Sequence, residues 1–168
     1  MKIDLGCGPQ NKPDCVHVDN IGSKKYYPHV DYEIDLNERN WEYQLREDAE
    51  NEDFMRMMVF GVKLPQFDII YAEDIVEHVD GLVDFLNSCW AISAPNAHLF
   101  IRTPSYDADF AHIDPTHKHL YHLDTFDFFD PSTPYGKYNI QLTPYKWKVI
   151  SKKLTENRNI EVELEKIG

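Results

Sequence analysis

At 168 residues the chain has the length of one ordinary domain with a single core. Its 42% hydrophobic and 13% aromatic content is that of a folded protein despite a formal net charge of −12, and the acidic excess disfavours polymeric nucleic acid and anionic lipid as partners. The three cysteines, Cys7, Cys15 and Cys89, lack C-x-x-C spacing, no apolar run reaches membrane-spanning length and no signal-type apolar segment is visible, which predicts a reduced, cytoplasmic protein.

The first predicted strand, ending at Leu5, runs into Gly6-Cys7-Gly8-Pro9, and a second, Val16-His17-Val18, ends on Asp19. Glycines there allow a sharp turn and a close backbone approach to a ligand, and an acid closing the next strand suits ribose hydroxyls. The dinucleotide fingerprint needs a third glycine and about 20 residues before its acid. Here position 11 is Asn and Asp19 follows Gly8 by 11 residues, so a nicotinamide-type site is disfavoured. The plain structural reading of Asp19 is a strand-end residue that satisfies a turn, and Asp35 has the same alternative. Cys15 has no activating base placed by the sequence and reads as a packed or half-exposed thiol.

Further strands are predicted over Val30 to Asp35, Phe67 to Ala72 and Ala97 to Thr103, each rich in β-formers and bounded by turn residues. A weak helix is predicted over Asn51 to Phe60, with Met55, Met57 and Met58 as core filler. Asp80 to Ser93 carries Leu82, Val83, Phe85, Leu86, Cys89, Trp90 and Ile92 on one stripe, which predicts a helix stopped by Pro95-Asn96. The stretch of about 104–134 is histidine-rich and too long for a plain connection, so it is predicted to be a binding segment, with Phe126, Phe128 and Phe129 to anchor it. Pro144 to Leu154 and Ile160 to Ile167 flank Asn157-Arg158-Asn159 and predict a closing antiparallel hairpin.

The ordered set Leu5-Gly6-Cys7-Gly8-Pro9, Asp19, Asp35-Leu36 and Asp68-Ile69-Ile70-Tyr71-Ala72-Glu73-Asp74-Ile75-Val76-Glu77-His78 resembles the class I S-adenosylmethionine-dependent methyltransferases, over roughly residues 2 to 104. Pro9 to Cys15 has room for a turn where that family commonly has a helix, so the loop resembles a shortened Leu-Gly-Cys-Gly-Pro subgroup. The family's Pro-Gly-Gly turn is replaced by Ala94-Pro95-Asn96-Ala97, and Asn also tolerates left-handed conformations. The resemblance implies a single α/β, Rossmann-like domain over 1–168, with a mostly parallel seven-stranded sheet and a C-terminal antiparallel hairpin. It implies S-adenosylmethionine as cofactor. Leu5, Gly6, Cys7 and Gly8 would wrap its amino-acid part, Asp19 its ribose, Asp35 and Leu36 its adenine, and Ala72 and Glu73 its sulfonium end.

Methyl transfer from a sulfonium is an in-line displacement that needs positioning and, for hydroxyl or protonated amine acceptors, a base. The segment Asp109 to His122 follows the fifth strand, and Asp114 and His117 are the candidate catalytic pair. Glu77-His78 reads first as a helix start and packing pair. The spacing His112-x-Asp114-x-x-His117-x-His119 matches no standard zinc pattern, so no metal ligand is assigned. Missing base-methylation motifs and the acidic charge favour a small-molecule or sugar-type acceptor, while the acceptor itself and the oligomeric state stay open. Two other readings are a non-catalytic S-adenosylmethionine-binding module or regulatory subunit, and a metal-dependent hydrolase built on the histidine-rich segment.

Overall fold

The computed structural model describes residues 1–38, 41–45 and 66–168. The helix expected over 51–60 lies outside them. Seven strands form one sheet: β1 (Lys2–Leu5), β2 (Cys15–Asp19), β3 (Tyr32–Glu33), β4 (Phe67–Glu73), β5 (Ser93–Pro104), β6 (Lys146–Leu154) and β7 (Asn159–Ile167). Their order is β3-β2-β1-β4-β5-β7-β6. The strands from β3 to β5 pair in parallel, and β7 is antiparallel to both β5 and β6. This is the mostly parallel, Rossmann-like α/β sheet with a closing antiparallel hairpin that the sequence predicts.

The third strand is shorter than expected, because only Tyr32 and Glu33 pair with β2. The fifth is longer. Helix α1 (Leu82–Ile92) passes directly into β5 at Ser93, and the β4 partner register jumps from Phe67↔Ser93 to Ile69↔His98. Residues 94–97 therefore loop out of the ladder, with Asn96 at φ 60°, which is how Pro95 is tolerated so close to a helix end. The Lys166 ammonium closes the C-terminus of α1 by donating to the carbonyls of Trp90 (2.9 Å) and Ser93 (2.7 Å).

Side chains alternate across the strands and so sort into two faces. Ile3, Leu5, Val18, Ile70, Ala72, Leu99, Ile101, Ile160, Val162 and Leu164 are buried in one core with Phe85, Leu86, Cys89 and Ile92 of α1, and with Trp41, Phe126, Phe129 and Trp147. Of the alternate positions, Tyr71, Phe100, Glu161 and Glu163 are half-buried, while Asp4 and His17 are buried. Tyr71 and Phe100 stack at 5.6 Å, and a cavity of about 500 Å³ there is lined by residues of β4 to β7 alone.

The histidine-rich segment is ordered. It contains the short helix α2 (Asp109–Ile113) and a 3-10 turn (Thr125–Phe129), and leads to α3 (Pro134–Tyr138). Its middle is fastened to the turn after β4: the Tyr121 hydroxyl donates to the Val76 carbonyl (2.9 Å), and the Lys118 amide donates to the Glu77 carbonyl (2.8 Å). Glu77-His78 belongs to that turn and not to a helix start, since the helix begins at Leu82.

Candidate functional site

The parallel strands deliver their C-terminal ends to one edge of the sheet, where an open α/β sheet binds ligands. The amides of Gly6 and Cys7 donate to the Val18 carbonyl at 2.8 and 3.1 Å, which folds the first loop over the end of β2. Gly6 has φ 67°, and a Cβ there would meet the Ile75 side chain at 2.8 Å. Glycine is therefore required on two counts. The Gly8 amide donates to Asp19 Oδ2 (2.5 Å) and the Asn20 amide to Asp19 Oδ1 (2.7 Å), so both carboxylate oxygens are held in place by main chain. Oδ2 also accepts from the Cys7 thiol at 3.8 Å, so the free acceptor site is on Oδ1. Asp35 Oδ1 accepts from the Asn37 amide (2.9 Å), while Asn37 Oδ1 accepts from the Asp80 amide (2.7 Å) and so ties the loop after β3 to the loop after β4.

These loops enclose a cavity of about 380 Å³ lined in part by Gly6, Asp19, Asn20, Asp35, Leu36 and Ile75. A second cavity of about 600 Å³ lies beside it, lined in part by Asp74, Glu77, Phe110, Asp114 and Asn159. The segment 115–118 divides the two. Pro115 and His117 line the second cavity and Thr116 and Lys118 line the first, the His117 amide closing a turn on the Asp114 carbonyl at 3.3 Å, while His78 lines both.

The dividing wall is held by a defined chain of hydrogen bonds. The Thr116 hydroxyl donates to Asp114 Oδ1 (2.6 Å), so at His78 Nδ1 (3.0 Å) that hydroxyl oxygen acts as acceptor. His78 Nδ1 is therefore a donor. His117 Nδ1 lies 3.1 Å from the Ala111 carbonyl, which only accepts, so it donates too, and His117 Nε2 lies 3.8 Å from Asp114 Oδ2. The two rings meet edge to face with centroids 4.7 Å apart.

Glu77 is 2% exposed and accepts from the Thr103 hydroxyl at 2.9 Å. Burial pushes its carboxyl above the usual range, against that hydrogen bond. Asp114 goes the other way: hydrogen bonds from the Thr116 hydroxyl and amide hold it below the usual range. Arg102 binds Asp74 through its guanidinium and is held further into the charged form by that contact. Burial, then the charges of Asp19 and Asp4, push the Cys7 thiol up to about 12, so this cysteine is a neutral packing group.

Of the residues expected to bind a cofactor, Gly6, Asp19, Asp35 and Leu36 line the first cavity, and Gly8 acts on it through the Asp19 carboxylate. Leu5 and Ala72 are fully buried in the core and Cys7 is 3% exposed. Glu73 sits by the strand-lined cavity, 3.6 Å from Lys12 and 3.4 Å from Arg102. Asp114 and His117 do share the second cavity. The sequence reading assigned no role to Asn20, Asn37, Ile75, Thr116 or Lys118. The alternation of Pro115-Thr116-His117-Lys118 was the available signal for two of them. The four lysines of β6 form no open basic patch: Lys148 meets Glu165 (4.0 Å), Lys152 meets Asp127 (2.7 Å), Lys153 meets Glu161 (2.8 Å) and Lys146 donates to the Ile140 carbonyl (2.6 Å).

No protein-family model matches the sequence, and no curated protein does. Solved structures do. The chain is similar to an S-adenosylmethionine-dependent methyltransferase from Mesorhizobium loti, at 12% identity over 98% of this chain and 90% of that one, with a TM-score of 0.59. A methyltransferase of the same cofactor class from Archaeoglobus fulgidus matches at 15% identity over 98% and 85%, with a TM-score of 0.56. The N-methyltransferase NodS from Bradyrhizobium japonicum, in complex with S-adenosylhomocysteine, matches at 10% identity over 99% and 78%, with a TM-score of 0.52. At these identities the likeness establishes the fold.

Proposed function

We propose that this chain, which carries the fold of S-adenosylmethionine-dependent methyltransferases, transfers a methyl group from that cofactor to a small-molecule acceptor. The observation that carries the reading is the shared wall: one short segment, turned at Pro115-Thr116, presents Thr116 and Lys118 to one cavity and His117 to the other, and His78 reaches both. Two sites that meet at one side chain suit a reaction in which two ligands must touch.

The residues of the first cavity fit the cofactor. Gly6 leaves the room that a Cβ would fill, Asp19 presents its carboxylate, with Oδ1 the freer oxygen, to a ribose hydroxyl, and Leu36 and Ile75 give an apolar bed to a base. Lys118, paired with Asp80 at 2.7 Å, is the cation of this cavity among the described residues and would face the cofactor's carboxylate. Bound there, S-adenosylmethionine supplies an electrophilic methyl on a sulfonium.

The protein's own work is orientation and proton removal. Pro104, Phe110, Ile113 and Pro115 give the second cavity an apolar side that would seat the body of an acceptor. Asp114 Oδ2, beside His117 Nε2, is the proton acceptor. Its lowered pKa makes it a weak base, which suits an acceptor proton that is already acidic. The acidic chain and the paired lysines of β6 favour small acceptors over nucleic acid.

The test is titration with S-adenosylhomocysteine, followed by assay of S-adenosylhomocysteine release across phenol, catechol, hydroxy-acid and amine acceptors. Asp114→Ala is expected to cut turnover with little change in cofactor affinity, and Asp19→Ala to abolish binding. A folded protein that binds neither cofactor form would overturn the reading. Binding without product from any acceptor would favour a non-catalytic module.

A further inference from the structure

We infer that Glu77, His78 and His117 form a binding site for one divalent first-row transition-metal cation in the acceptor cavity, where it would receive an acceptor carrying two adjacent oxygen donors. The inference rests on the two-cavity reading for its acceptor, but not for its metal.

The donor set comes from two distant parts of the chain, the turn after β4 and the segment after α2. Each of the three residues offers one ligand atom, and these atoms lie within 4.8 Å of one another. That spread is within what one ion at bond lengths of roughly 2.0–2.2 Å bridges after small side-chain adjustments. Two imidazoles and one carboxylate are a donor set for zinc, iron or manganese, whereas magnesium prefers oxygen throughout.

The surroundings prepare these ligands. Both histidines use Nδ1 to donate to a fixed oxygen, His78 to Thr116 and His117 to Ala111, which leaves Nε2 of each as the nitrogen available to a cation. Metal-binding histidines are usually oriented in this way. Glu77 is held by Thr103 while its burial leaves it away from bulk water. His117 is also nearly buried, at 9% side-chain exposure. A buried carboxyl group and two oriented imidazoles brought together are explained by a shared cation better than by packing, because aliphatic residues would fill the same space without desolvating a polar group.

Three protein ligands leave coordination positions open for a small molecule. The cavity gives the rest of the recognition: Phe110, Ile113 and Pro115 form an apolar wall, and Asn159 Oδ1 is sequestered from solvent without a hydrogen-bond partner among the described residues. A catechol, or an α-hydroxy acid with an apolar body, would meet the ion with two oxygens and the wall with its carbon skeleton. A bound hydroxyl becomes more acidic on a metal ion, and its proton would pass to Asp114.

The experiment is calorimetric titration of chelator-treated, tag-free protein with zinc chloride, with magnesium chloride as the comparison. We expect one equivalent of zinc at micromolar affinity or tighter, weak magnesium binding, and affinity lower by on the order of a hundredfold in His78→Ala and in His117→Ala. His112→Ala, whose ring binds the Tyr106 carbonyl, should bind zinc as the native chain does. Circular dichroism and melting confirm that each variant is folded. No stoichiometric zinc binding by the native chain, or unchanged binding in both folded variants, overturns the site. The acceptor class is read from 4-nitrocatechol, whose absorption shifts on coordination: a shift that needs both zinc and His117 supports it, and no shift overturns it. Separate titration with S-adenosylhomocysteine keeps the two proposals apart, since zinc binding without cofactor binding would leave the metal site and remove methyl transfer, and the reverse would do the opposite.

Discussion

Gly6→Ala and Gly8→Ala test whether the first loop has the conformation described. Both glycines have positive φ, 67° and 51°, so a Cβ at either costs about 1–2 kcal/mol in left-handed strain. They differ in surroundings. At Gly8 nothing lies within 4 Å of the added carbon, whereas at Gly6 it falls 2.8–2.9 Å from three atoms of Ile75. Overpacking of that kind adds about 1–3 kcal/mol, so Gly6→Ala should cost about 2–5 kcal/mol in all. At roughly 2–4 °C per kcal/mol for a chain of this size, the melting point should fall by about 2–8 °C for Gly8→Ala and by about 4–20 °C for Gly6→Ala. Ile75 also lines the first cavity, so Gly6→Ala should weaken S-adenosylhomocysteine binding beyond its effect on melting. Adding Ile75→Ala removes two of the three close atoms, Cγ1 and Cδ1, and leaves Cβ at 2.9 Å, so the two changes together should cost less than their sum by about 1 kcal/mol. Thermal unfolding of the native chain, the three single variants and the double variant decides it. Equal losses at the two glycines, or strictly additive losses with Ile75→Ala, would refute the reasoning.

Thr103→Val removes the hydroxyl that donates to Glu77 Oε2 and should make stability more sensitive to pH. Because burial raises the Glu77 pKa in the folded state, the native chain binds that proton more tightly than the unfolded chain does, and stability falls as pH rises through the carboxylate range. The hydroxyl limits this fall, so the variant should lose about 1.5–3 kcal/mol at pH near 8 and less near pH 4 in urea unfolding; equal losses at both would count against it. Tyr121→Phe deletes the bond to the Val76 carbonyl and should loosen the loop by about 1 kcal/mol, with faster hydrogen exchange at the Lys118 amide and little change in melting outside that loop. Cys7 and Cys89 are buried, at 3% and 0% exposure, and burial raises all three thiols, so the native chain should react slowly with a thiol reagent at neutral pH, with Cys15 first, and give all three only when unfolded.

The sheet was readable because its strands are short runs of β-formers with a strict period of two, and the hairpin because Asn157-Arg158-Asn159 supplies the turn; Arg158 takes φ 61° there. The bounds of β3 and β5 were not, since they depend on which residues find a partner: Ile34 is buried and apolar yet lies beyond the last pair with β2. The first cavity was legible where its residues are adjacent to strand ends, as Gly6, Asp19 and Asp35 are. Ala72 and Glu73 follow from the same rule, but alternation along β4 sends one into the core and the other to the opposite face. The link from His78 to His117 was out of reach because the two lie 39 positions apart and meet only when the later segment docks on the turn after β4.

The short first connection explains why that later segment carries so much of the site. Between β1 and β2 the chain has only residues 6–14, and no helix forms there. A helix N-terminus after the first strand would offer free amides and a positive end to a ligand's negative group. Here the Gly6 and Cys7 amides are used on Val18 and the Gly8 amide on Asp19, so little of that capacity remains. A positive group must come from elsewhere. Lys118 is placed to supply it, in the first cavity and on the segment whose neighbouring residue, His117, lines the second. Because Lys118 and His117 are adjacent in the chain, fixing one in its cavity constrains the other, and the Lys118 amide bond to the Glu77 carbonyl sets both in register with the turn after β4.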